Sequence, residues 1–323
     1  MKILITGATG FLGLHIAEEL KKEGHEVVNF SRSHTKELDA IGVSTIQGDL
    51  SNVTDVQHAL SQNFEAIFHV ASKVGMWGKW EEFYRINFEG TKNLFDEAKN
   101  CGVKYFVHTS TPSVVFGKDA IEGANESLGY PKEYLSYYAK SKAMAEEYIL
   151  NDNSPIKRCA LRPHLIFGKR DQNIIPRLLE ANKNSKLKII GNGSNLVDVI
   201  HVTNATHAHL LAFEELQGDA KNNHKAYFIA QEKPVNLWSF INSILVHKGQ
   251  QPVTKKVSIN TAYAIGYLVE LFLKTFKIFN IHPPMTRFVA LQLGTSHYFS
   301  HDNAKRDFNY SPVVSIDEAI KDL

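Results

Sequence analysis

Cysteine is scarce in this chain: Cys101 and Cys159 are the only two in 323 residues. Two thiols build neither a disulfide framework nor a cysteine-rich zinc site, and both read as reduced, buried or half-buried positions. Charge of one sign is scarce as well. Lys and Arg total 36 against 34 Asp and Glu, and no basic run reaches five, so composition points to no nucleic-acid partner. The first strand starts at residue 2 without a charged leader, from which a cytoplasmic protein is expected. A clean membrane span is missing too. Crossing a bilayer takes about twenty mostly apolar residues, and the strongly apolar stretch Ala262–Ile281 is interrupted by Glu270, Lys274 and Lys277. At helical spacing these three form one polar stripe on a largely buried helix; an interfacial helix making peripheral membrane contact is the alternative. His201, His207 and His209 suggest a metal cluster, but i and i+2 do not share a helix face and no acid sits at useful spacing, so no metal is expected.

What the first half does have is an alternation of strands and helices. Apolar segments at 2–6, 26–30, 43–47, 66–70, 105–108 and 158–161 read as strands. Segments 12–23, 53–61, 80–100 and 137–150 have helical spacing. This rhythm predicts an α/β fold, a Rossmann-type doubly wound parallel sheet with right-handed crossovers. The second half is less regular: helices are expected at 175–183, 204–216 and 237–248, a strand at 226–229, and a hard break at Pro283-Pro284. The expected organisation is a dinucleotide-binding domain over 1–170, with returning segments near 195–232, and a smaller, mostly helical substrate lobe interleaved over 171–323.

The strand at 2–6 runs into Gly7-Ala8-Thr9-Gly10-Phe11-Leu12-Gly13 and then a helix. A tight turn that brings backbone amides against a pyrophosphate at a helix N-terminus needs glycine at such positions. The spacing is GxxGxxG, and its place between the first strand and the first helix makes it specific. An acid at the end of the second strand would mark NAD. Here the residues are Asn29-Phe30-Ser31-Arg32-Ser33. Arg32 pairs with a 2′-phosphate and Ser31 and Ser33 donate to it, so NADP(H) is preferred over NAD(H), unless Arg32 is only a solvated loop residue. Asp49, at the end of the third strand, is either an adenine contact or a helix N-cap.

Tyr138 and Lys142 lie four apart on a predicted helix and share a face. An ammonium beside a phenol lowers its pKa from the usual ~10, which suits Tyr138 to general acid–base chemistry. Lys142 also donates to ribose hydroxyls. Thr109-Ser110-Thr111 closes the fifth strand, where a hydroxyl can polarise a substrate oxygen; Thr111 is favoured and Ser110 is the alternative. Met76, Trp77 and Trp80, on the same sheet edge, are either pocket walls or core. Arg287 is either a carboxylate anchor or half of a structural ion pair.

With TGATGFLG at the start, GDL at 48–50, TSTPSV at 109–114, YAKSK at 138–142 and LRP at 161–163, the chain resembles the extended short-chain dehydrogenases/reductases. Gly75-Met76-Trp77-Gly78, the GNGSNLVD run at 191–198 and PPMTRF at 283–288 carry the resemblance into the 3β-hydroxysteroid dehydrogenase-like branch, near the 2-alkyl-3-oxoalkanoate reductases of bacterial olefin biosynthesis. The resemblance implies a catalytic triad of Thr111, Tyr138 and Lys142, with Thr111 keeping the hydroxyl where many relatives carry serine. It also implies cofactor contacts from Leu50, Val70, Ala71, Ser72, Pro163 and Leu165, and makes His164 a candidate for a substrate carboxylate. The expected reaction is NADPH-dependent reduction of a 2-alkyl-3-oxo fatty acid. The alternatives are a steroid or sterol dehydrogenase, a sugar-nucleotide epimerase, or a non-catalytic NADPH-sensing regulator. A homodimer, a small apolar substrate and partner enzymes of an olefin pathway follow from the resemblance alone.

Overall fold

The computed structural model describes residues 1–323. Seven strands pair in parallel: β1 (Lys2–Thr6), β2 (Glu26–Ser31), β3 (Ser44–Gln47), β4 (Ala66–His69), β5 (Tyr105–Thr109), β6 (Lys157–Pro163) and β7 (Lys225–Ile229). Their order across the sheet is β7-β6-β5-β4-β1-β2-β3, so the winding reverses between β1 and β4. Ligands of such sheets bind outside the strand C-termini at that reversal.

The strands are apolar on both faces because helices cover both. Alternate residues divide cleanly. Ile3, Ile5, Phe68, Val107 and Leu161 pack against α1 (Phe11–Lys22) and, from far along the chain, α5 (Val202–Gln217). Leu4, Val28, Ile67 and Phe106 pack on the opposite side against α2 (Val53–Leu60), α3 (Gly90–Asn100) and the end of α4 (Tyr137–Leu150).

The single helix expected over 80–100 is interrupted. A short turn, Trp80–Phe83, passes into a π-helical Tyr84–Glu89 before α3 begins. Asn87 lies in that wide turn and is buried. Its amide accepts from the Lys73 N–H (2.6 Å) and donates to the Lys73 carbonyl (3.0 Å) and to Ser141 Oγ (2.9 Å). π-Turns of this kind recur where a side chain must be re-aimed for function.

Very short elements escaped the sequence reading. Ile121–Ala124, Leu196–Val197, Val235–Asn236 and His297–Phe299 form a four-stranded second sheet. Strands of two to four residues are too brief to display an alternation. The second lobe thus takes a strand from the first half, while α5, β7 and the helix Asp302–Phe308 return to the first sheet. A separate apolar cluster around Trp238, Ile241, Ile244 and Leu245 fills the second lobe.

The helix from the 262–281 stretch, α6 (Ile259–Thr275), departs from expectation. It is not largely buried: Leu268, Leu271, Phe272 and Phe276 are half or more exposed. The face turned inward is Ala262, Gly266, Glu270 and Leu273. Glu270, expected on the outer stripe, is buried because the backbone N–H and the guanidinium of Arg287 both donate to its carboxylate. Lys277 lies beyond the helix end at φ +53°, so it shares no stripe with Glu270. No helix is long and apolar enough to cross a membrane.

Gly266 is where α6 touches the chain behind it: an added Cβ would stand 2.5 Å from the Thr286 carbonyl carbon and 2.6 Å from the Arg287 nitrogen. Backbone on both sides leaves little room to yield. Gly266→Ala is therefore expected to destabilise the protein by about 1–3 kcal/mol, read as a lower urea midpoint at unchanged slope; an unchanged midpoint would show that this contact carries no stability.

Candidate active site

The reversal of the sheet brings the glycine loop to the end of β4. Gly7 has φ +78°, and a Cβ there would meet the Ala71 nitrogen at 2.7 Å. A Cβ on Gly13 would stand 2.2 Å from the Gly7 carbonyl oxygen. Glycine at both positions is what lets α1 start against the β1 turn. The first turn of α1 carries no acid and no side-chain cap, and Gly10 at its N-cap is exposed, so the positive end of the helix dipole is left uncompensated there. Thr9 and Phe11 are half-buried at this turn, and Leu12 anchors it in the core.

Asn29 joins this loop to the end of β2. It is fully buried, accepts from the Ala8 N–H (3.3 Å) and donates to Ser31 Oγ (2.8 Å), which donates on to the Ser33 carbonyl (2.5 Å). Arg32 and Ser33 are exposed beside it. The helix-cap reading of Asp49 is set aside, because Asn52 caps α2. Asp49 instead holds a turn, accepting from Ser51 N–H (2.9 Å) and Oγ (2.7 Å). Partial burial pulls its carboxyl up, but the Ser51 bonds and the Arg32 and Arg85 guanidinia outweigh that and hold it below the usual carboxylate range. Arg85, in the π-turn, is a basic neighbour of this edge that the sequence reading did not single out. Leu50 packs on Gly90, and the Leu50 carbonyl accepts from Asn93.

The side chains expected to carry the chemistry lie on the other side of the reversal. Ala139, Ser141, Ala143 and Ala145 are small and buried, so α4 can sit close to the sheet. Lys142, only 2% exposed, donates from Nζ to the Thr109 carbonyl (2.7 Å) and to His108 Nε2 (3.1 Å). Burial brings its pKa down to about 7. Tyr138 stands one turn earlier. Burial pushes its phenol up, while the Thr111 and Ser72 hydroxyls draw it part of the way back. The net direction is upward, contrary to the lowering expected from an adjacent ammonium. The reason is burial, and Lys142 does not offset it, since its bonds go to the strand end and an imidazole. Of the two candidate hydroxyls, Thr111 caps the turn Pro112–Val115 and draws the Tyr138 phenol down, whereas Ser110 is buried and acts on the Glu146 carboxylate instead. Val70 and Ala71 are bound to Thr6, the Val70 N–H by its carbonyl and the Ala71 N–H by its hydroxyl. Pro163 ends β6 and Leu165 turns at φ +47° just beyond it.

Several side chains around this centre had no assignment from the sequence. Glu146 follows Lys142 by one turn and takes both nitrogens of a buried fork from Arg162 (Nε 3.0 Å, Nη2 2.5 Å), with Tyr130 adding a third bond at 2.7 Å. Burial alone would raise Glu146, but the Arg162 guanidinium and these bonds hold it below the usual range. The Lys142–Glu146 spacing and the LRP arginine were the available signals.

The substrate candidates scatter. His164 is buried, its Nε2 2.7 Å from His297 Nδ1, while His297 Nε2 donates to the Gln292 carbonyl. Burial pushes His164 well below its ordinary pKa, and its Nε2 is already given to His297. Arg287 is committed to Glu270 at 2.7 Å, the structural ion pair rather than a free anchor. Trp77 donates to the Ile278 carbonyl (2.9 Å) and stacks on Phe279, which clasps the loop after β4 to the segment after α6. Trp80 packs on Tyr84 and Tyr137, and Met76 is exposed. His201 caps α5 and His209 bonds Thr109 Oγ1 and the Ala205 carbonyl, so these rings serve separate partners.

The comparisons with known proteins agree with this architecture. Over 99% of its length, and 84% of the relative's, the chain is 42% identical to the 2-alkyl-3-oxoalkanoate reductase of Shewanella oneidensis. It is 36% identical to the mouse (Mus musculus) sterol-4-alpha-carboxylate 3-dehydrogenase, decarboxylating, over 99% of its length and 89% of that protein's. The UDP-glucuronic acid 4-epimerase of Bacillus cereus, solved with NAD, superposes with a TM-score of 0.75 at 21% identity, covering 100% of this chain and 97% of that one, which speaks for the fold. Residues 4–259 match the 3-beta hydroxysteroid dehydrogenase/isomerase family, and the chain belongs to that family of oxidoreductases.

Proposed function

We propose that this protein is an NADPH-dependent reductase of 2-alkyl-3-oxo fatty acids, working reversibly on the 3-hydroxy acid. What carries the reading is the full-length likeness to a 2-alkyl-3-oxoalkanoate reductase, together with Tyr138, Thr111 and Lys142 meeting at the edge where the glycine loop opens. The residues present fit a dinucleotide. Gly7, Thr9, Gly10, Phe11, Leu12 and Gly13 would hold the pyrophosphate, Ser31, Arg32 and Ser33 the 2′-phosphate, and Asp49 and Leu50 the adenine. Val70, Ala71, Ser72 and Lys142 would line the ribose, with Pro163 and Leu165 beside the nicotinamide. When bound, NADPH supplies the hydride. Thr111 Oγ1 donates to the ketone oxygen and holds it. The Tyr138 phenol gives its proton to that oxygen as the alcohol forms. Lys142, held by the Thr109 carbonyl and His108, would hold the ribose beside that phenol.

A sterol acid is the second reading, supported by the 36% likeness to the sterol dehydrogenase. As named, the two relatives' substrates share a carboxylate one carbon from the oxygen-bearing C3, so the two readings differ in the apolar frame, not in the reacting group. The exposed Leu268, Phe272 and Phe276 of α6 support peripheral membrane contact; failure to sediment with lipid vesicles would dismiss it. A homodimer and association with other olefin-pathway enzymes are expected from the resemblance.

NADPH formation from NADP and a purified 2-alkyl-3-hydroxy fatty acid tests the reaction in the direction that avoids the unstable oxo acid. Turnover is expected, with a fall of about 10²–10⁴-fold in Tyr138→Phe while NADPH still binds. Tight NADPH binding without turnover on the acid would move the substrate to a sterol, and without turnover on any alcohol or ketone would point to a regulator. Arg32→Ala is expected to raise the Michaelis constant for NADP by about 10- to 100-fold, as for loss of a hydrogen bond to a charged group, leaving that for NAD unchanged. Equal effects on both would dismiss the 2′-phosphate role.

A further inference from the structure

Behind the reactive edge three histidines lie buried on neighbouring elements: His69 on β4, His108 beside it on β5 and His209 on α5. Two are fully occupied. His69 bonds the Thr6 and Thr91 hydroxyls at 2.7 Å each, and His209 bonds Thr109 Oγ1 at 2.8 Å and the Ala205 carbonyl at 2.7 Å. His108 is different. Its Nε2 is 3.1 Å from Lys142 Nζ, and its buried Nδ1 has no partner at all. A ring nitrogen that meets an ammonium must offer a lone pair, so the imidazole proton sits on Nδ1, the atom left unbonded. An unsatisfied buried donor is costly and rarely retained without compensation.

The surroundings of Lys142 say what the compensation is. The groups that face it are Tyr138 and Glu146 on its own helix, His108 on β5 and His69 on β4 (its ring 5.2 Å from that of His108), with His209 behind Thr109 and Arg162 on β6 behind Glu146. The one carboxylate among them, Glu146, is forked to Arg162. Burial lowers all three imidazoles and lowers Lys142 as well, to about 7, so its ammonium form depends on the acceptors its protons find. Its ammonium has three protons, and the Thr109 carbonyl and His108 Nε2 take two of them.

We propose that His108 is a positioning residue of the reductase site: its neutral, Nδ1-protonated imidazole accepts from Lys142, holds that amine in its ammonium form and leaves one N–H free for the reactive edge. The inference rests on the reading of Lys142 as part of that site, but it is tested without turnover. In cofactor-free protein carrying ε-¹³C-lysine, the Lys142 titration followed by NMR is expected to fall by about one pH unit in His108→Phe, a tenfold loss of proton affinity, as for a hydrogen bond to a charged group. His108→Gln, whose amide oxygen still accepts, is expected to restore most of it. The alkaline limb of the reductase profile then moves in the same direction, because loss of the acceptor lets Lys142 shed its proton at lower pH. A role confined to packing would lower activity at every pH and leave the limb in place. A folded His108→Phe protein whose Lys142 titrates as in the parent overturns the proposal. Should that variant not fold, ¹⁵N spectra of the parent at pH 6 decide: a bare Nε2 on His108 supports the assignment, and a proton on Nε2 overturns it. If Lys142 responds as expected while no oxo acid is reduced, the substrate reading fails and the positioning role stands.

Discussion

The hydrogen bond from Lys142 to the Thr109 carbonyl is the contact from which the reactive centre is built. It ties α4 to the last residue of β5, and by doing so sets Tyr138 on the helix and Thr111 past the strand at one distance from each other. A buried ammonium is tolerated only where its protons are taken up. Here a strand-end carbonyl and an imidazole do this, because the nearest carboxylate belongs to Arg162. The run of small residues on the inner face of α4 is a precondition, since a bulkier face would hold the lysine away from the strand.

The dinucleotide edge follows a related logic of close approach. Gly7 against Ala71, and Gly13 against Gly7, leave no room for a Cβ. Asn29 then carries the position of the loop across to Ser31, so the glycine turn and the end of β2 move as one unit. The π-turn at Asn87 does the corresponding work on the other flank, binding the chain after β4 to α4 through Lys73 and Ser141. Each of these polar side chains is buried and bonded on more than one side, which favours a rigid site over an adaptable one.

The region around α6 is arranged around the opposite principle. α6 turns its single carboxylate inward to Arg287 and its larger apolar residues outward, so the helix is held by one buried ion pair and a line of small residues. Trp77 reaches from the loop after β4 to the chain just past this helix. The two lobes are therefore joined at the rim of the proposed substrate space by a hydrogen bond and an aromatic stack.

Much of this was legible before the structure. Strand runs apolar on both faces, glycines at 7, 10 and 13, the Tyr138–Lys142 spacing and the TSTPSV strand end are local patterns, and local patterns survive in sequence. The parallel sheet and the edge of the site followed from them. What the sequence withheld depends on partners distant along the chain. Glu270 reads as an exposed charge until Arg287 is folded against it, and Arg287 reads equally as an anchor or half of an ion pair until Glu270 takes it. His164 reads as a candidate for a substrate carboxylate until His297, 133 residues later, takes its Nε2 in the interior. The direction of the Tyr138 shift and the place of His108 turn on burial, which no spacing reports. Sequence alone determined the strands, the turn chemistry and the shared helix face of Tyr138 and Lys142, because these rest on neighbours a few residues apart. Only the tertiary structure decided which charges are paired, which rings stay neutral and which face of α6 meets solvent, because desolvation and pairing are properties of the assembled interior.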